Sequence, residues 1–193
     1  MRINLAQSQL TGHLPELADL TSLTAFYAYG NQLTGQIPAL SALSNLQFFY
    51  VSDNQLTGEI PDLIGLNNLE DFEADDNQLS GQIPDLTGLT NLFYFAVNNN
   101  QLTGPIPAAI TELTNLQSFY VNNNQLTGLV PPAPSSLVHA RLCPNAFMFP
   151  EPPNAVWDSA TTGSRPWWET PYPNNMCDDI FTNSFEPQLG FQS

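Results

Sequence analysis

The feature that most constrains the fold of this chain is a short repeat that covers most of its length. The dipeptide Gln-Leu begins at positions 9, 32, 55, 78, 101 and 125, so the spacing is 23 residues four times and 24 residues once. A period of this length is typical of a solenoid, in which each repeat forms one coil and stacks on its neighbours. The spacing therefore predicts one continuous stack over residues 1–137.

Apolar residues recur at fixed positions of the repeat and predict a core that continues from coil to coil. In one unit these positions are Leu46, Phe49, Val51, Leu56, Ile60, Leu63 and Leu66. A single unit buries too little apolar surface to offset the conformational entropy of its backbone, so we expect the coils to be stable only when stacked.

The consensus of the repeat is Leu-x-x-Phe-x-Val/Ala-x-x-Asn-Gln-Leu-Thr-Gly-x-Ile-Pro. It resembles the plant-type leucine-rich repeat, the family of plant receptor-kinase ectodomains and polygalacturonase-inhibiting proteins. The resemblance implies a right-handed curved solenoid with a parallel β-sheet on the concave face and a 3-10 or irregular convex side. It also implies about five full repeats plus an incomplete first one, and binding rather than catalysis.

The ends of the chain predict a second region and a location outside the cell. We expect leucine-rich repeats over 1–137 and a C-terminal cap and tail over 138–193, in which Cys143 and Cys177 form a disulfide. The leucine that opens the first repeat would precede Met1, so we expect a truncated N-terminus that has lost a signal peptide. The final residues resemble short tails of exported proteins of Gram-negative bacteria, which favours a secreted or cell-surface protein of bacterial origin.

The charge of the chain restricts its partners. The formal net charge is -15, with three arginines and no lysine. Such a charge disfavours nucleic acid and anionic membrane surfaces, and it favours cationic partners. We therefore expect no nucleic-acid binding and no membrane insertion, whereas the oligomeric state is left open.

Negative charge is concentrated in one repeat, where five carboxylates fall between Glu70 and Asp76. In the predicted strand, Phe72 and Ala74 point inward while Asp71, Glu73 and Asp75 point outward. Aromatic and amide residues occupy the matching outward positions of the neighbouring repeats. The predicted ligand-binding residues are Tyr27, Tyr29, Phe48, Tyr50, Asp53, Glu70, Asp71, Glu73, Asp75, Asp76, Tyr94, Asn98, Tyr120 and Asn122, with Phe93 as a further apolar contact at the start of its strand.

Several functions fit this surface. We favour a protein or peptide ligand, cationic in charge, because exposed aromatic residues on a sheet suit protein interfaces. A carbohydrate could use the same aromatic and amide residues. Calcium bridging by Asp53, Asp75 and Asp76 and a merely solvated acidic face are the other two interpretations of the charge.

An alternative function of another class uses the regular columns of threonine and glutamine. Thr11, Thr34, Thr57, Ser80, Thr103 and Thr127 repeat at the coil spacing, and a glutamine lies two residues before each of them. A flat and evenly spaced array of this kind could bind ice or a crystalline polysaccharide. Catalysis has little support, because His13 and His139 lie at opposite ends of the chain, and we predict no enzyme activity and no cofactor.

Overall fold

The structure is a computed structural model that describes residues 1–148, and it consists of coils built from short parallel strands. The fourteen strands are β1 (Arg2–Asn4), β2 (Thr11–His13), β3 (Ala25–Tyr27), β4 (Gln32–Gly35), β5 (Phe48–Tyr50), β6 (Gln55–Glu59), β7 (Asp71–Glu73), β8 (Gln78–Ser80), β9 (Tyr94–Ala96), β10 (Thr103–Gly104), β11 (Ser118–Tyr120), β12 (Gln125–Leu129), β13 (His139–Arg141) and β14 (Ala146–Met148). One 3-10 helix, Ala108–Glu112, completes the elements of the described part.

The odd-numbered strands form a seven-stranded parallel sheet in the order β1-β3-β5-β7-β9-β11-β13. We call this the long sheet, and we call its side that faces away from the core the concave face. Each coil contributes one strand, and from β3 to β11 the central phenylalanine of each strand pairs in register with that of the next, as Phe49 does with Phe72. The acidic strand β7 is the fourth of seven and lies at the centre of the long sheet.

A second row of strands differs from the prediction of an irregular side outside the long sheet. The even-numbered strands form one sheet of four in the order β2-β4-β6-β8 and another of three in the order β10-β12-β14. They arise because the segments after the asparagine position of successive coils, most of them Gln-Leu-Thr-Gly, lie side by side, which lets their backbone groups pair. The 3-10 conformation is confined to Ala108–Glu112 among the described residues.

The core contains a column of stacked phenylalanines, one from each of five successive coils. Phe26, Phe49, Phe72, Phe95 and Phe119 are fully buried. Their neighbouring ring centroids lie 5.5 to 5.6 Å apart, with interplanar angles of 16 to 18°. Aromatic pairs in this offset stacked geometry contribute beyond the area that they bury. The column therefore fixes the register between coils.

An asparagine in each coil satisfies buried backbone groups, as the repeat predicts. The Asn77 side chain accepts a hydrogen bond from the Leu56 backbone N–H at 2.9 Å. Its amide nitrogen donates to the Val51 carbonyl of the preceding coil at 3.0 Å and to the Asp75 carbonyl of its own coil at 3.0 Å. Asn31, Asn54, Asn100 and Asn124 repeat this pattern in their own coils.

The stack of coils continues beyond residue 137, where the sequence prediction ended the repeats. Strand β13 pairs with β11 and adds a seventh strand to the long sheet. Asn145 occupies the asparagine position of this coil and donates to the Val121 carbonyl at 2.8 Å. This coil is difficult to recognise in the sequence because its leucine spacing is irregular and prolines interrupt it.

Residues after 148, including Cys177, lie outside the described range, so the cap and the Cys143–Cys177 disulfide stay predictions. No helix within residues 1–148 is long and apolar enough to span a membrane.

Candidate functional site

The acidic strand β7 displays carboxylates on the concave face because its residues alternate between the two sides of the sheet. Phe72 and Ala74 are fully buried in the core. Asp71, Glu73 and Asp75 point to the other side and are partly exposed. We call these three residues the acidic row, and their alternation agrees with the sequence prediction.

Side chains of the preceding coil donate hydrogen bonds to two members of the acidic row. The Tyr50 hydroxyl donates to Asp71 Oδ2 at 2.8 Å, and the Ser52 hydroxyl donates to Asp75 Oδ1 at 2.7 Å. Just outside the row, Gln47 Nε2 donates to Glu70 Oε1 at 3.1 Å. These donors are neutral, so they orient the carboxylates without removing their negative charge.

Glu73 is the least compensated member of the acidic row. No hydrogen-bond donor reaches its side chain from any residue within 1–148. Burial is the main cause that raises its pKa from 4.5 to about 7, and the neighbouring charges of Asp75 and Asp71 add to the effect. Near neutral pH the Glu73 carboxyl is therefore close to the midpoint of its titration.

The pKa values of four groups near Glu73 are shifted in the same direction. Burial raises the pKa of Asp71 and of Asp75, although hydrogen bonds from Tyr50 and Ser52 act in the opposite sense. Burial and the nearby carboxylates also raise the pKa of Tyr94 to about 12 and shift the pKa of Tyr50 upward. The tyrosine hydroxyls therefore stay protonated and can donate hydrogen bonds at neutral pH.

The two arginines of the described part, Arg2 and Arg141, lie far from the acidic row. They belong to the outermost strands β1 and β13, each three strands from β7. At a strand spacing of about 4.8 Å, this places their backbones roughly 14 Å from β7. This separation exceeds the Debye length of about 8 Å at physiological ionic strength, so screening weakens their effect on the row.

Aromatic residues flank the acidic row on both sides, as predicted. Towards β1, the ring centroids of Tyr27 and Tyr50 lie 5.0 Å apart, and Phe48 contacts Tyr50 edge-on at 6.3 Å. Towards β13, Tyr94 and Tyr120 contact each other at 5.5 Å. Ala96 lies next to Glu73 in the register of the sheet, so a small residue separates Glu73 from Tyr120.

The remaining predicted residues lie at the turn that follows the long sheet. Tyr29 and Asn98 are partly exposed. Asn122 is also partly exposed as a residue, but its side-chain oxygen is buried and accepts no hydrogen bond in the described part. Asp53 and Asp76 are exposed and adopt positive φ angles of 53° and 52°, a conformation that Asn and Asp tolerate better than most residues.

The calcium interpretation of Asp53, Asp75 and Asp76 lacks support from the geometry. Residues 1–148 contain no group of three or more His, Cys, Asp or Glu side chains that could hold a metal ion. Asp75 and Asp76 instead accept hydrogen bonds from Ser52 and Asn99. Asp75 also interacts with the side chain of Asp76, but no third His, Cys, Asp or Glu within residues 1–148 completes a metal site with them.

A groove that the sequence did not predict lies where the long-sheet strands begin. We call it the strand-entry groove; it has a volume of about 600 Å³, and its lining includes Phe48, Glu70, Asp71, Asn91, Phe93 and Asn115. Thr114, Gln117 and Ser136 complete the lining. The sequence feature that could have indicated this groove is the residue after each opening leucine, because Glu70, Phe93 and Gln117 all occupy this position.

Three hydroxyl groups of the threonine column donate hydrogen bonds within the solenoid. Thr34, Thr57 and Thr103 donate to the carbonyls of Gly12, Gly35 and Gly81 in the preceding coils, at 3.2, 3.4 and 3.1 Å. A hydroxyl that donates internally offers only its lone pairs to an external surface. The surface-binding alternative therefore stays a prediction that no observation favours.

Comparisons with known proteins agree with this fold. The Leucine Rich Repeat family matches residues 45–67 and 115–137. The chain resembles the crystal structure of a TDR receptor with a TM-score of 0.76 and 26% identity, over 82% of this chain and 28% of that one. It resembles the ectodomain of the Arabidopsis receptor kinase HAESA, solved with an IDA peptide hormone ligand, with a TM-score of 0.66 and 29% identity over 71% of this chain and 24% of that one.

A third similar structure is the plant peptide hormone receptor RGFR1 in complex with RGF2. It has a TM-score of 0.66 and 34% identity, over 71% of this chain and 23% of that chain. A search of curated proteins finds no significant match. The chain spans about a quarter of the length of these three receptors. The predicted leucine-rich repeat solenoid is therefore confirmed, and its similar structures are ectodomains of plant receptors.

Proposed function

We propose that this chain is a non-catalytic recognition module that binds a cationic protein or peptide on its concave face. The observation that carries the proposal is the state of Glu73. Its carboxylate is partly desolvated, receives no hydrogen bond from the described residues and has two other acids beside it. A bound cation would relieve this repulsion, and the free-energy gain would appear as affinity.

The surroundings of the acidic row suit a peptide ligand. The tyrosine pairs on either side offer apolar contact with few rotatable bonds, and their hydroxyl groups can donate or accept hydrogen bonds. Two of the similar receptor structures contain peptide hormones or peptide-type ligands. We propose that this chain likewise binds a peptide, which would lie along the long sheet. The acidic row would favour peptides that carry positive charge.

We propose an extracellular or cell-surface protein, as the similar receptor ectodomains suggest, and we retain the bacterial origin as a hypothesis based on the tail of the chain. A carbohydrate ligand would use the same aromatic residues, but it would not relieve the repulsion within the acidic row. Charge therefore favours a cationic peptide over a sugar.

Selection from a random peptide library displayed on phage tests the proposal. We expect enriched peptides to carry arginine or lysine, and the D71N/E73Q double variant to bind them at least tenfold more weakly than the unmodified protein. The matched control is D19N/E112Q, which removes two exposed charges away from the long sheet. Enriched peptides without positive charge, or equal affinity for D71N/E73Q, would contradict the proposal.

A further inference from the structure

We infer that the strand-entry groove is the anchor point of the cationic ligand, and that it receives a single arginine side chain. This inference rests on the proposed function, and it deepens it by assigning one ligand residue to one place. Three features of the groove point to arginine: its apolar walls, its carboxylates and the acceptors of its polar rim.

Two phenylalanines form the apolar walls of the groove. Phe93 leaves 44% of its surface exposed, a large fraction for an aromatic residue of a folded domain. Phe48 is partly exposed and lies in the same register row as Asp71. The Phe93 backbone N–H donates to the Glu70 carbonyl at 2.7 Å, so Phe93 lies in the coil that follows the two acids. The acids therefore lie on the coil between the two phenylalanines.

The two acids are oriented by the preceding coil and keep free acceptors. One oxygen of Glu70 accepts from Gln47 and one oxygen of Asp71 accepts from Tyr50. The second carboxylate oxygen of each residue has no hydrogen-bond donor within residues 1–148. Adjacent carboxylates with fixed orientation and free oxygens complement a planar guanidinium group, which donates from several N–H groups in one plane.

The polar rim of the groove includes amide oxygens that are free to accept hydrogen bonds. Asn91 Nδ2 donates to the Asn67 carbonyl at 2.8 Å, and Asn115 Nδ2 donates to the Thr90 carbonyl at 2.7 Å. The Ser136 hydroxyl donates to the Leu116 carbonyl at 2.8 Å. The amide oxygens of Asn91 and Asn115 accept no hydrogen bond from the described residues. A ligand group rich in donors is therefore complementary to these two amide oxygens and to the free carboxylate oxygens of Glu70 and Asp71.

Arginine fits these three features better than lysine does. Its guanidinium stacks on aromatic faces and is less strongly hydrated than an ammonium group, so it loses less on leaving water. Its aliphatic stem can lie against Phe93. The lining of the groove includes no basic side chain that would compete for the acids.

An NMR titration with N-acetyl-argininamide tests the inference without knowledge of the natural ligand. We expect saturable shifts of the backbone amide signals of Glu70, Asp71 and Phe93. The uncharged citrulline analogue should give no saturable shift, and the lysine analogue should bind at least threefold more weakly. Similar affinity for the arginine and citrulline compounds, or shifts confined to residues elsewhere, would overturn the inference.

Groove variants separate this inference from the proposed function. F93A and E70Q should each weaken binding of N-acetyl-argininamide at least fivefold. I64A, which shortens an apolar side chain with 53% exposure outside the groove, and E112Q should have no effect. All four residues are at least partly exposed, and thermal unfolding would verify that each variant is folded.

Peptides from the phage selection provide the second comparison. If E73Q weakens their binding while F93A and E70Q do not, the concave-face function holds and the arginine anchor is wrong. If neither set of variants weakens their binding, the proposed function itself is wrong. If both sets weaken binding, and replacing one arginine of the peptide by lysine has the same effect as F93A, the anchor assignment is supported.

Discussion

Replacing Glu73 by glutamine should stabilise the folded protein at alkaline pH and have little effect at acidic pH. The folded-state pKa of Glu73 is raised, so the folded state holds a proton that the unfolded chain releases between pH 4.5 and about 7. Stability is therefore unaffected by Glu73 below this window, falls as pH rises through it, and is reduced in full above it. Glutamine has no charge to bury and removes this penalty.

The pKa difference gives the size of the effect. The difference between 4.5 and about 7 corresponds to about 3.4 kcal/mol, at about 1.36 kcal/mol for each tenfold change in proton affinity. Glu73 keeps contact with solvent, which screens its interactions, so we expect about 1 to 2 kcal/mol for E73Q at pH 8. The same pKa values predict about a quarter of that gain at pH 5.

Urea unfolding of the purified protein and of E73Q at pH 5 and pH 8 measures the effect. In thermal unfolding, a gain of about 1 to 2 kcal/mol should raise the midpoint at pH 8 by roughly 3 to 6 °C. D85N is a control for which we expect a loss of stability at pH 8 instead of a gain. Hydrogen bonds from Thr87 lower the pKa of Asp85 and favour its charged form, which asparagine lacks. An equal gain for E73Q at both pH values, or a loss at pH 8, would refute the reasoning.

Three further predictions concern the packing of the solenoid. F72A removes the central ring of the phenylalanine column and should cost about 3 to 5 kcal/mol in urea unfolding, whereas F93A should cost less than about 1 kcal/mol; similar costs would contradict the assigned column. N77A leaves the Leu56 amide without its acceptor and should cost about 2 to 4 kcal/mol, with faster amide exchange at Leu56 as the local sign. T57V should change stability by less than about 1 kcal/mol, because its hydroxyl bond to the Gly35 carbonyl is long and exposed; a larger loss would show that the threonine column supports the fold.

The sequence predicted the repeating parts of the fold because each position recurs in a nearly constant chemical context. The inward Phe72, the outward Asp71 and the bonding of the asparagine column all follow from strand alternation and from the need to satisfy buried backbone groups. The seventh coil was missed because one of its identifying residues, Asn145, lies among prolines and an irregular spacing. Local pattern alone does not show that its backbone still pairs with β11.

The functional surface was predicted only in part, because its chemistry depends on distances between coils. The sequence indicated which residues point outward, but not that Tyr50 donates to Asp71 or that Glu73 is left without a donor. The strand-entry groove depends on side chains from several coils, including Ser136, and no single repeat contains it. The position of Phe93 in the repeat indicated that its side chain is exposed. The sequence did not show which residues of other coils lie beside it.

The phenylalanine column and the asparagine hydrogen bonds make the joint between coils nearly the same along the stack. Phe26 meets Phe49 at the same centroid distance as Phe95 meets Phe119, 5.6 Å. A coil can therefore be duplicated, deleted or exchanged as a whole with little change in the joints that remain, provided that its full period is kept. The number of coils on either side of the acidic strand can vary without altering that strand, so ligand length and ligand charge can evolve separately.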